Sequence, residues 1–183
     1  MIIKTFFAGF GGQGVLSMGY TLAYAAMLDD KYVTYFPSYG AEVRGGTANC
    51  TVAVGDEEIA SPIASEPEYL VAMNQPSMLK FENWVSPGGL IFINVSLVNQ
   101  APTRSDLEVV EVPANALANE VANERAANMI MFGALAGKTR IVRPDAVREA
   151  IARIFASKAK VRDVNLKAFE RGFHFTDKSG GGK

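Results

Sequence analysis

Along this chain, short runs that are apolar for most of their length alternate with longer segments of helical period. Ile2 to Ala8, Tyr69 to Met73 and Leu90 to Val95 are rich in β-branched and aromatic residues, which predicts buried strands. Tyr32 to Phe36, Asn49 to Val54 and Val109 to Val112 complete the strand set. Between them, Val15 to Leu28 carries Leu16, Met18, Leu22, Ala25 and Ala26 among good helix formers. A short helix opens at Pro76 or Ser77 and runs through Trp84, and another spans Ala114 to Glu124. Ala126 to Leu135 is apolar all round and studded with small residues, so it predicts a buried helix in close backbone approach to a neighbour. Pro144 begins an amphipathic helix with Val147, Ile151, Ile154 and Phe155 on one face. Asp163 to Phe173 is the last helix.

Apolar strands alternating with helices predict an α/β fold, a mainly parallel open sheet with helices on both faces. Residues 1–176 form one domain in this reading, and 177–183 a flexible tail ending in Gly180-Gly181-Gly182-Lys183. In such a sheet ligands meet the loops at the carboxyl ends of the strands. Three polar or glycine-rich segments fall there: Gly9 to Gly14, Ser38 to Thr47, and Asn74-Gln75-Pro76. Their gathering along one rim is the main expectation from the pattern.

Gly9, Gly11 and Gly14 fit the G-x-G-x-x-G fingerprint of Rossmann-like dinucleotide sites, between a strand and a helix. That fingerprint also wants an acidic residue about 20 positions on, at the end of the second strand. Here the strand ends in Pro37-Ser38-Tyr39, Asp29 and Asp30 come too early, and Glu42 lies beyond it. NAD binding, a glycine turn that only packs helix on strand, and a loop that meets another ligand all stay open.

Composition narrows the classes. The 183 residues are 49% hydrophobic and 20% charged, an ordinary globular balance. A net charge of −1 and a pI near 5.9 give no basic footprint for nucleic acid or anionic membrane. The apolar stretches are strand-sized, so no membrane span is expected, nor is a signal peptide at Ile2 to Gly9. Cys50 is the single cysteine and His174 the single histidine, too few for a structural zinc or an iron–sulfur cluster. Cys50 reads as a small buried thiol and His174 as a partly packed residue near the end of the chain.

The rim carries binding chemistry without an acid–base engine. Arg44 precedes Gly45 and Gly46, so a guanidinium stands beside bare backbone donors, a pairing suited to phosphate or carboxylate. Arg44 could equally pair with Glu42 or lie in a subunit interface. Gln13 and Asn74 offer neutral donors and acceptors and are poor general bases. No catalytic or metal-ligating residue is assigned. A binding or gating subunit of a larger enzyme follows, with a standalone Rossmann-type nucleotide-binding enzyme or a non-catalytic interaction protein as alternatives.

Four blocks carry a resemblance: Gly9-Phe10-Gly11-Gly12-Gln13-Gly14, Ser38-Tyr39-Gly40-Ala41-Glu42-Val43-Arg44-Gly45-Gly46, Asn74-Gln75-Pro76-Ser77 and Asn128-Met129-Ile130-Met131-Phe132-Gly133. In this order, over Ile2 to Phe173, the chain resembles the gamma subunit of the 2-oxoacid:ferredoxin oxidoreductases, which act on pyruvate, 2-oxoglutarate or branched-chain acids such as 2-oxoisovalerate. The resemblance implies a cytoplasmic enzyme of several subunits that oxidatively decarboxylates a 2-oxoacid to its acyl-CoA and reduces ferredoxin. It implies alpha and beta subunits carrying thiamine diphosphate with magnesium, and a ferredoxin-like delta subunit, the 4Fe–4S clusters lying in such partners. It also implies coenzyme A at Gly9, Gly11, Gly12, Gln13, Gly14, Arg44, Gly45, Gly46 and Asn74, with Tyr39, Glu42 and Gln75 at an interface. Without partners, an exposed apolar patch is expected to let the chain self-associate.

Overall fold

The structure, a computed structural model, describes residues 1–39, 46–62 and 65–177. Six strands form one sheet: β1 (Ile2–Phe10), β2 (Tyr32–Tyr39), β3 (Thr47–Gly55), β4 (Tyr69–Ala72), β5 (Leu90–Asn94) and β6 (Glu108–Val112). Their spatial order is β2-β3-β1-β4-β5-β6. β1, β4, β5 and β6 pair in parallel, whereas β3 lies antiparallel to both β1 and β2. The sheet is therefore mostly parallel, with one opposed strand. The physical reason lies in chain length. Parallel neighbours need a crossover of about a dozen residues or more, and the link from Tyr39 to Thr47 is shorter, so β2 and β3 form a hairpin. β2 also runs past Phe36, where the pattern ends it, through Pro37 to Tyr39. It is an edge strand, where a missing ladder donor is tolerated.

Among the described residues six helices cover the sheet unequally: α1 (Val15–Leu28), α2 (Gln75–Phe81), α3 (Ala114–Val121), α4 (Ala127–Thr139), α5 (Pro144–Ile154) and α6 (Ala159–Asp177). Alternation along the strands sends Phe7, Val52, Val71 and Phe92 to one face, where they pack with α1, α3, α4, α5 and α6. Phe6, Ala8, Leu70, Ala72, Ile91 and Ile93 point to the other face. Among the described residues, α2, a 3-10 turn (Glu82–Trp84) with Val85 after it, and the β5–β6 connection carrying Val98 and Leu107 lie against them. Both faces are covered as the pattern predicts, the second one thinly.

α4 is buried from Ala127 to Gly137, which its all-round apolar sequence requires. Its close neighbour is α6: a Cβ on Gly133 would fall 2.2 Å from the Phe169 carbonyl oxygen, and one on Gly172 2.0 Å from that of Ile130. α6 is longer than its apolar pattern indicates at both ends. Asp177, placed in the tail by the sequence, is its last residue and pairs with Arg140 at 2.6 Å. The remainder of the expected tail, 178–183, lies outside the described residues. No helix among the described residues is long and apolar enough to cross a membrane.

Candidate site at the carboxyl rim of the sheet

The strand order creates a crevice between β1 and β4. The chain leaves β1 through α1 toward β2, and leaves β4 through α2 toward β5, so two adjacent strands send their connections in opposite directions. Open α/β sheets bind ligands outside the carboxyl ends of such strands. The loop Gly11–Gly14 stands there. Gly12 and Gly14 take left-handed backbone, φ 91° and 72°, and Gly14 is the N-cap of α1. Gly11 and Gly12 are exposed, so their backbone faces out. Gly9 is needed for another reason. A Cβ there would come within 2.9 Å of the Gln13 oxygen, Val15 and Met73.

Neutral amides hold this loop. Gln13 Oε1 accepts the backbone N–H of Phe10 and the Nδ2 of Asn74, each at 2.7 Å. Asn74 is buried, and its Oδ1 accepts the N–H of Ser77 at 2.9 Å, which caps α2. Gly11 N–H donates to the carbonyl of Gly46 at 3.1 Å, binding the glycine loop to the start of β3. Asn128, at the start of α4, donates Nδ2 to the Gly14 carbonyl at 3.3 Å.

Gly9, Gly11, Gly12, Gln13, Gly14, Gly46 and Asn74 are thus brought together on one rim. Tyr39 ends β2 at the same rim, opposite Ala48. Gln75 opens α2, and its Oε1 accepts the N–H groups of Asn99 and Gln100 at 2.7 and 2.9 Å, so one end of this side chain is spent within the chain. Glu42, Arg44 and Gly45 lie outside the described residues. β3 sits between β1 and β2, placing the end of β2 two strand spacings, roughly 10 Å, from the glycine loop. The described end of β2 carries Ser38 and Tyr39, with no carboxylate for a ribose.

Asn94, Asn115 and Arg125 escape the sequence reading. Asn94, wholly buried at the end of β5, donates to Asn115 Oδ1 at 2.9 Å and accepts the N–H groups of Ala114 and Ser96. It fixes the start of α3 to the rim. A polar residue ending an apolar strand was the available signal. Arg125 follows Asn123, whose Oδ1 accepts the Arg125 N–H in a 3-10 turn, Glu124–Ala126, leading into α4. Away from the rim, Cys50 is buried against α1 with its thiol 3.7 Å from the Val15 carbonyl. Burial pushes its pKa up to about 12, which leaves it an unreactive packing residue. His174 is exposed on α6 beside Phe173 and Glu170.

This fold and rim agree with comparisons to known proteins. The family described as pyruvate ferredoxin/flavodoxin oxidoreductase matches residues 4–175, and the chain belongs to that family. It is 38% identical over 179 residues to ketoisovalerate oxidoreductase subunit VorA of Methanothermobacter marburgensis, covering 97% of this chain and 37% of that protein. The chain therefore spans little more than a third of that relative. It is 37% identical over 172 residues to 2-oxoglutarate synthase subunit KorC of Methanothermobacter thermautotrophicus, covering 90% of each. Among solved structures, the gamma subunit of keto/oxoacid ferredoxin oxidoreductase from Geobacter sulfurreducens superposes with a TM-score of 0.81. The two are 28% identical, over 95% of this chain and 98% of that one.

Proposed function

We propose that this chain is the gamma subunit of a cytoplasmic 2-oxoacid:ferredoxin oxidoreductase, which converts a 2-oxoacid and coenzyme A to acyl-CoA and carbon dioxide while reducing ferredoxin. The observation that carries this reading is the glycine loop, tied to Gly46 and Asn74 on one rim, in a fold shared with the Geobacter gamma subunit. Thiamine diphosphate with magnesium belongs to alpha and beta subunits and the 4Fe–4S clusters to partners such as a ferredoxin-like delta subunit. This chain's one cysteine, buried with a raised pKa, supplies no cluster ligand set. Its contribution is to hold coenzyme A. Exposed backbone at Gly11 and Gly12 and the amide of Gln13, braced by buried Asn74, line the approach, and the sequence alone adds Arg44 and Gly45 to the reading. Such groups act by fixing the thiol's position and excluding water, not by moving protons.

Purification of the tagged full chain from its own cells tests the reading. Thiamine-binding subunits should co-purify, and the complex should reduce ferredoxin only with both a 2-oxoacid and coenzyme A. Arg44→Ala should raise the KM for coenzyme A about tenfold, the loss of one charge-assisted contact, and leave decarboxylation of the oxoacid unchanged. Absence of thiamine-binding partners, or equal losses in both half-reactions, would overturn it.

A further inference from the structure

The two edges of the sheet are guarded differently. β6, at one edge, carries Glu108 and Glu111 in a strand of five residues, and edge charges of that kind deter a foreign strand. β2, at the other, runs for eight residues, Tyr32-Val33-Thr34-Tyr35-Phe36-Pro37-Ser38-Tyr39, without a charged side chain. The charge just before it, Lys31, is paired with Asp56. No strand lies on the outer side of β2 among the described residues, and every second residue turns its backbone groups away from β3. Pro37, which has no N–H, fits such an edge with its nitrogen turned outward. The side chains along this edge are aromatic and open on both faces of the sheet. Tyr32 and Phe36 lie on the thinly covered face at 54% and 47% exposure. On the helical face Tyr20 of α1 is half exposed, with its ring 6.2 Å from that of Tyr35.

About Thr34 the strand nearly mirrors itself: Val33 and then Tyr32 lie on one side, Tyr35 and then Phe36 on the other. We propose that β2 pairs edge to edge with β2 of a second copy of this chain, antiparallel about a two-fold axis at Thr34, so that one sheet runs through both copies. In this register Tyr32 stands opposite Phe36 of the second copy, Val33 opposite Tyr35, and Thr34 opposite its own counterpart. The exposed rings of the thin face then cover each other as cross-strand pairs. Thr34 Oγ1 is sealed in the single chain and has no hydrogen-bond partner there, so turning it about χ1 toward its counterpart breaks no bond. Pro37 falls opposite Lys31, beyond the five paired residues, where its missing donor is not needed. An axis at Tyr35 would instead set Pro37 against Val33 and Tyr32 against Ser38, which loses a donor and both aromatic pairs. The occupant is a second copy because the edge is complementary to itself and holds no charge that its own image would repel. A two-fold contact of this kind closes at two copies. β3 and the outer side of β2 separate it from the glycine loop, so the pairing is independent of what the rim binds.

Light scattering of the isolated full chain over a concentration series tests the pairing. The native chain should reach twice the 19.7 kDa of one copy and stop there. Thr34→Lys sets two like charges against each other on the axis and should weaken the dimer at least roughly tenfold, with circular dichroism reporting the fold. Thr34→Cys probes the same contact without adding charge. Directly opposed residues have Cα atoms about 4.5–5.5 Å apart, within reach of a disulfide, so this variant should link two copies under mild oxidation. Ser38→Cys should not, because eight residue steps of strand, roughly 27 Å, separate the two Ser38 positions. Buried Cys50 stays out of the reaction. A native chain that remains monomeric or grows beyond two copies would overturn the pairing. So would a folded Thr34→Lys that dimerises undiminished, or a Thr34→Cys that links no faster than Ser38→Cys. Co-purification of thiamine-binding subunits bears on the subunit reading alone.

Discussion

Gly12 and Gly14 both carry positive φ, yet an alanine at each meets different surroundings. At Gly12 no atom lies within 4 Å of the added Cβ, so Gly12→Ala bears the left-handed strain alone, about 1–2 kcal/mol. At Gly14 the Cβ also falls 2.3 Å from Asn128 Nδ2, and that side chain is buried and bonded to the Gly14 carbonyl. Gly14→Ala should therefore cost about 3 kcal/mol or more in urea unfolding, clearly beyond Gly12→Ala. Equal midpoints for the two would show that Asn128 does not brace the loop. Cys50 gives a prediction in pH. Its thiol is raised from 9.0 to about 12 by burial, so above pH 9 the unfolded chain loses the proton while the folded chain keeps it. That favours the unfolded state. Stability is intact below pH 9 and should fall between pH 9 and 12 by up to ~1.4 kcal/mol per pH unit, and Cys50→Ala should flatten that slope. Urea titrations of both proteins at pH 8, 9.5 and 10.5 check it.

Between elements, the tightest contact is the crossing of α4 and α6. Gly133, Gly137 and Gly172 would each place a Cβ within 2.4 Å of a backbone carbonyl oxygen of the other helix. Backbone cannot swing aside as a side chain can. Gly172→Ala should push the helices apart and cost about 3 kcal/mol, or abolish folding, as measured by urea unfolding. A loss below about 1 kcal/mol would mean the crossing is loose. The sequence reveals half of this contact, because small residues in a wholly apolar helix mark close approach, and Gly133 lies in that run. Gly172 sits in a mixed polar segment whose period says nothing of its neighbour. Strand direction shows the same limit. A buried apolar run such as Val52 to Val54 reads alike whichever way it points, so the reversal of β3 was legible only in the short link before it. The glycine loop and Asn74 were legible because positive φ and helix capping leave local signatures. Asn115 and Arg125 join the rim only through the path from β5 to α3 and α4, which no local pattern encodes.

For the molecule as a whole, the unequal covering of the sheet determines where a partner can sit. Cross-strand register aligns Phe36 with Thr51 and Thr51 with Phe6, whose ring lies 5.4 Å from that of Trp84. This row runs along the thinly covered face, and its ends are open: Phe36 is 47% and Trp84 44% exposed, and Tyr32, four residues earlier on the same face of β2, is 54% exposed. Large aromatic groups gathered on one face of a chain with little net charge favour association over solubility. If this chain is a subunit, that face is expected to lie against a companion, and in isolation against a second copy. Phe36→Glu combined with Trp84→Glu should lower co-purification of the thiamine-binding subunits. It should also shift the isolated chain toward monomer in light scattering and change its unfolding free energy by only about 1 kcal/mol, since both rings are half in water already. Undiminished co-purification would move the companion to the carboxyl rim or to the opposite, five-helix side. On the five-helix side charged pairs such as Arg148 with Glu170 and Arg171 with Glu120 hold the surface, and association there would be salt-sensitive instead of hydrophobic.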